Sequence, residues 1–139
     1  RFLKHAAPAG YVSLHAYLQP TPETTQALHT MQNMIRMKTH CAVTVGYGPR
    51  FLHSTGQLHK GDGGKGLFIQ ITADDPEDAA IPDEAGKPDS AMSFGILKHS
   101  QALGDGEALR QAGRKTIRLH FREGTAQGLK QLLAAIEGY

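Results

Sequence analysis

The 139 residues are 40% apolar and 20% charged, ordinary proportions for one globular domain with room for a core. A formal charge of +2, with basic residues scattered along the chain, lacks the footprint of a nucleic-acid binder, and no run approaches the ~20 apolar residues that span a bilayer. One cysteine excludes a disulfide framework or a cysteine-rich zinc module, and no signal-peptide pattern opens the chain, so the cytoplasm is the expected location.

Tyr11 to Leu18 alternates, with Val12, Leu14, Ala16 and Leu18 on one face and Ser13, His15 and Tyr17 on the other, which predicts a strand. Thr21-Pro22-Glu23 reads as an N-cap followed by proline at the first helical position. Leu28, Met31, Met34 and Ile35 then predict a helix to about Lys38. Cys41 to Val45 is a short apolar run without polar alternation, expected to be an interior strand buried on both faces, with Cys41 a small core residue. A short helix is expected from Arg50 to Leu58, and Gly66 to Thr72 reads as the next strand. Ala73 to Ala91 is acidic, rich in proline and glycine and aperiodic, the pattern of a long surface loop. Ser93 is expected to cap a helix ending at Leu103, and Asp105 to cap a second, shorter one ending near Gly113. Lys115 to Phe121 alternates as a strand. Thr125 opens a final helix with Leu129, Leu132, Leu133 and Ile136 on one side. Strands alternating with helices predict a single α/β domain, a three-layer α/β/α sandwich around a mostly parallel sheet.

The densest chemistry lies in Gly46 to Lys65, GYGPRFLHSTGQLHKGDGGK, which follows a predicted strand and sets polar side chains between two glycine clusters. Glycine permits close backbone approach, and polar groups at a strand's carboxyl end are where open α/β sheets bind small molecules. Lys60, beside His59 and glycine, could meet a sugar oxygen or phosphate, or could be a solvated surface lysine. His53 could contact a hydroxyl or handle a proton, or be structural. Ser54, Thr55 and Gly56 could offer hydroxyls and N–H groups to an anion, or form a simple N-cap. Gln57 suits sugar recognition, and Arg50 suits a phosphate or, preferably, a carboxylate of a neighbouring subdomain. His53 and His59, six apart, would fall on opposite faces of a helix, so no metal site is expected and no cofactor is implied. His15, His29, His99 and His120 read as surface or edge residues, and Asp74, Asp75, Glu77 and Asp78 as a solvated loop. No nucleophile–base pair, P-loop or dinucleotide fingerprint is present.

Six blocks in order, YVSLHAYL, GYGPRFLHSTGQLHKG, GLFIQITADDPED, IP, SFGILKHSQALGD and GRKTIRLHF, carry a family resemblance over nearly the whole chain. It resembles the end of the phosphoglucose isomerase portion of the bacterial bifunctional transaldolase/glucose-6-phosphate isomerases. The chain departs from that pattern at Gly61-Asp62-Gly63-Gly64, where the family has two glycines, and at the inserted DEAGKPDSAM after Ile81-Pro82. The resemblance implies the second of two sugar-isomerase-type subdomains, acting on aldose and ketose phosphates. Lys60 best matches the family's C-terminal lysine, although the Q-x-G-V-E pattern before that lysine is not reproduced. A start at Arg1 fits a piece of a larger protein. Its expected partners are a sugar phosphate, the upstream isomerase subdomain and a transaldolase domain, with homo-oligomerisation left open; alone it is expected to be inactive. The alternatives are a stand-alone sugar-phosphate-binding or regulatory module, and a structural, dimerising domain whose Gly46–Lys65 loop packs on protein.

Overall fold

The structure, a computed structural model, describes residues 1–139. Eight of its elements form the body: β1 (Tyr11–Tyr17), α1 (Pro22–Thr39), β2 (Ala42–Tyr47), α2 (Thr55–Gly61), β3 (Gly66–Ala73), then, after a two-strand excursion, α3 (Phe94–Gln111) and the closing pair. The excursion is the antiparallel pair β4 (Ala80–Ile81) and β5 (Met92–Ser93), and the chain closes with β6 (Lys115–Phe121) and α4 (Thr125–Glu137). Four strands pair in parallel in the order β2-β1-β3-β6, with Leu14 opposite Val45 on one side and Ile69 on the other. Helices cover both faces, giving the three-layer α/β/α architecture.

The two faces of the sheet differ in chemistry. Val12, Leu14 and Ala16 of β1 and Leu67, Ile69 and Ile71 of β3 meet Leu28, Met31 and Ile35 of α1 and Leu129 and Ile136 of α4 in one apolar cluster. The opposite face carries Ser13, His15 and Tyr17 from β1 and Phe68, Gln70 and Thr72 from β3, all buried beneath α2 and α3. Period-2 alternation is present, but here both sets of side chains lie inside.

Local signals set the helix ends. The Thr21 hydroxyl accepts the Thr24 N–H at 3.1 Å, Pro22 follows, and His40 ends α1 at φ 55° with its N–H on the Arg36 carbonyl. Two expectations are corrected. First, β2 is an edge strand with half-exposed side chains, because β1 pairs on only one side of it. Its apolar residues serve α1, which packs beside it. Second, α3 runs unbroken through Gly104-Asp105-Gly106, and Asp105 is a buried mid-helix residue, not a cap. Side-chain partners across the fold hold that carboxylate and outweigh the helix-breaking tendency of two glycines. The acidic stretch after β3 is the exposed loop expected, tethered at two points: Asp75 pairs with Lys98, while Asp78 accepts from the Ser93 hydroxyl and from the Gly95 N–H at 2.7 Å.

Candidate functional site

The Gly46–Lys65 loop leaves the carboxyl end of β2, turns beneath Phe51 and returns through α2 toward the start of β3. This path separates the residues that the sequence groups together. Arg50 lies with Tyr47, Gly48 and Pro49 in a groove of about 740 Å³ at the carboxyl end of the sheet, facing Lys98 and the carboxylates Asp75, Glu77 and Asp78. His53, Ser54, Thr55 and Gln57 are exposed on the outer side of the turn and of α2. The Ser54 hydroxyl donates to the Phe51 carbonyl at 3.2 Å, and the Gln57 amide donates to the Leu52 carbonyl at 3.1 Å. The Ser54 side chain therefore does not cap α2, although the residue stands at its N-cap position. Gly56 is buried because a Cβ there would stand 3.0 Å from the Phe51 carbonyl oxygen. Lys60 points the other way, toward α3, with about a quarter of its side chain still exposed.

Lys60 Nζ lies 3.0 Å from Asp105 Oδ1, with the lysine side chain 24% exposed and the aspartate 1%. Asp105 Oδ2 is 3.5 Å from His15 Nδ1, and the Tyr17 hydroxyl donates to it at 3.4 Å. Asp105 Oδ1 and His15 Nδ1 make no well-aligned hydrogen bond. Burial pushes the Asp105 carboxyl up, but His15 and Lys60 outweigh it and keep it below the usual carboxylate range. Burial, reinforced by Asp105, pushes the Tyr17 phenol up.

The polar chain continues away from Asp105. His15 Nε2 lies 3.0 Å from Ser13 Oγ and 3.1 Å from His59 Nδ1, and the Thr44 hydroxyl donates to Ser13 at 2.9 Å. The expectation of a surface His15 is overturned, since it is 1% exposed and stacked on His59. Burial, then the neighbouring His15, lowers His59 to about 4, so it is neutral near pH 7.

A second lock closes the loop. Asp62, in the stretch where the chain departs from the resembled pattern, accepts from the Tyr11 hydroxyl at 2.7 Å and from the N–H groups of Gly64 and Gly66 at 2.8 and 3.0 Å. Arg114 pairs with its Oδ1 at 3.1 Å and donates through Nη2 to the Lys60 and Asp62 carbonyls, both at 2.7 Å. Sequence reasoning missed Asp105, His15, His59, Tyr17 and Arg114 as a group. The available signal was the Ser13/His15/Tyr17 face of β1, three polar side chains on a strand that turns out to be central.

At the carboxyl end, His120 is likewise not a lone edge residue: its Nδ1 lies 2.9 Å from the Thr72 hydroxyl and its Nε2 3.1 Å from Asp74. Between the ends of β1 and β3, where the chain path reverses across the sheet, a crevice of about 960 Å³ is lined by Leu18, Thr21, Ala73, Lys98, Arg122 and Thr125 among others. Cations and carboxylates both line it, giving no single-sign field.

No family model and no curated protein matches the chain. Its fold is similar to that of a hypothetical protein from Thermus thermophilus, known from a crystal structure, with a TM-score of 0.70 and 17% identity over 96% of this chain. The chain spans 35% of that protein's length, and at this identity the likeness establishes the α/β architecture alone.

Proposed function

We propose that the chain is the C-terminal, sugar-isomerase-type subdomain of a glucose-6-phosphate isomerase of the transaldolase-fused kind. It interconverts aldose and ketose phosphates when completed by the preceding subdomain. The observation that carries this reading is the GPRFLHSTGQLHKG block, whose lysine is delivered to a fixed, quarter-exposed position at the end of α2. The groove beside Arg50 leans acidic, which disfavours the phosphate there, and Lys60 is not among the residues lining it. The phosphate is then the business of the partner subdomain.

Isomerisation moves a proton between C1 and C2 and passes through a species with negative charge on oxygen. An ammonium group held near that oxygen stabilises the charge without reorganising, at about 10²–10³ in rate for one such donor. Lys60 supplies that group, and in ring opening it can hand a proton to the ring oxygen. The general base comes from the partner subdomain, so this chain alone converts no glucose 6-phosphate.

The test is made in the complete protein. Lys60→Ala is expected to lower kcat about 10²–10³-fold, with Lys130→Ala on the exposed side of α4 unchanged. Because Lys60 is also the counter-ion of a buried carboxylate, the melting temperature of Lys60→Ala is expected to fall as well. Lys60→Arg keeps the charge and separates the two effects: native-like melting with impaired turnover supports catalysis. Unchanged kcat in Lys60→Ala would return the lysine to a purely structural role.

A further inference from the structure

We propose that Asp105 is a positioning residue: from within α3 it aims the Lys60 ammonium at the substrate oxygen. The inference rests on the reading of Lys60 given above. At 1% side-chain exposure Asp105 cannot touch a substrate, so any influence on the reaction passes through its partners.

A lysine at the end of a seven-residue helix has four flexible methylenes and roughly 2 kcal/mol of rotamer entropy to lose. Free to wander, its ammonium would be a poor preorganised donor. Here the side chain is held at both ends. Its backbone carbonyl accepts from Arg114 Nη2 at 2.7 Å, and its Nζ sits 3.0 Å from Asp105 Oδ1. An ammonium carries three N–H donors, and none is tied up in a well-aligned bond to Asp105, so donors remain for the exposed quarter of the side chain.

Asp105 is itself fixed. Its other oxygen faces the Tyr17 hydroxyl at 3.4 Å and His15 at 3.5 Å. The Gln70 amide on β3 donates to the Ala102 carbonyl at 2.8 Å and anchors the same turn of α3 to the sheet. Gly106, beside the aspartate, lets this turn lie close, since a Cβ there would meet Gln70 Oε1 at 3.1 Å. Two glycines flanking a buried aspartate weaken the helix, and of the two only Gly106 lets the turn carrying the carboxylate approach the sheet. A charge is needed, not merely an acceptor, because Oδ1 and Nζ meet without good hydrogen-bond alignment.

The experiment uses the complete enzyme and a double-mutant cycle between the two residues. Asp105→Asn, nearly isosteric, is expected to lower kcat about 10–100-fold while KM moves less than about threefold, as misplacement of one donor should. Lys60→Ala combined with Asp105→Asn is expected to be no slower than Lys60→Ala alone, because the carboxylate acts only through the lysine. Native kcat in Asp105→Asn, with Lys60→Ala impaired, overturns the positioning role and leaves the functional reading intact. Native kcat in Lys60→Ala overturns both. Multiplying losses in the double variant also count against the proposal. If Asp105→Asn does not fold, Tyr17→Phe is read instead; it removes only the hydroxyl that steadies the carboxylate and should cost roughly threefold in kcat, and no change would overturn the role.

Discussion

His59 is a buried imidazole whose neutral state is part of the fold. Its neighbours are His15, stacked at a centroid distance of 4.9 Å, with Asp105, Asp62 and Lys60 around them. Burial comes first and His15 second in lowering it from 6.5 to about 4, against the opposing pull of the two aspartates. Between those values the unfolded chain binds a proton that the folded chain does not, so stability falls as pH drops from 6.5 toward 4. Discounted for the solvent that still screens the site, the effect is on the order of 2 kcal/mol across that window. Urea melts at intervals between pH 4 and 7 check it. His59→Gln should flatten the slope over this range, and a slope equal to that of the unsubstituted protein would assign the acid sensitivity elsewhere.

Among the elements, α4 on β6 is the most sharply fitted pair. Gly128 is buried in α4 because a Cβ at that position would stand 2.1 Å from Phe121 Cγ. Gly128→Ala gains helix propensity but forces the ring or the helix to move, and the second effect dominates, at about 1–3 kcal/mol of lost stability. Equilibrium urea unfolding measures it, and a stabilised variant would mean that the Phe121 ring turns away freely. β6 and α4 were legible in the sequence because their patterns lie wholly within them: Ile117, Leu119 and Phe121 at period two, and Leu129, Leu132, Leu133 and Ile136 at helical spacing. The same holds for β1, α1 and β3. The position of β2 was not legible, since edge or centre depends on which strand pairs next to it. Nor was the continuity of α3, because Gly104-Asp105-Gly106 breaks a helix on local grounds and is rescued by His15 and Lys60, 90 and 45 residues away in sequence.

For the molecule as a whole, the site was half legible. The loop was recognisable as unusual, but its direction was hidden, so Lys60 was singled out without Asp105 while His53 and Gln57 were grouped with it although they lie outside. The insertion after Ile81-Pro82 behaves as a peripheral addition. Residues 82–91 are exposed and bond chiefly among themselves and to the small β4–β5 pair, as in Asp83 N–H to the Asp89 carbonyl at 3.0 Å. Replacing residues 84–88 with two glycines is expected to change unfolding free energy by less than about 0.5 kcal/mol. Thermal melts decide the matter, and a loss several times larger would show that the loop braces the body.

The buried polar face of the sheet has a consequence for how the chain is made. Strand β1 is the first synthesised of the four and pairs with both β2 and β3, so three-quarters of the sheet can assemble once residue 73 has emerged. Asp105 follows 32 residues later (105 − 73), roughly 2–6 s at ordinary translation rates. During that interval α1 covers only part of the apolar side, the rest waiting for α4, while the side awaiting α3 presents Ser13, His15, Tyr17, Gln70 and Thr72 beside Phe68. A hydrated surface of this kind attracts neighbouring nascent chains far less than a bare aliphatic one would. The polarity that later holds Lys60 in place thus also lessens the apolar surface that the growing chain exposes on that side.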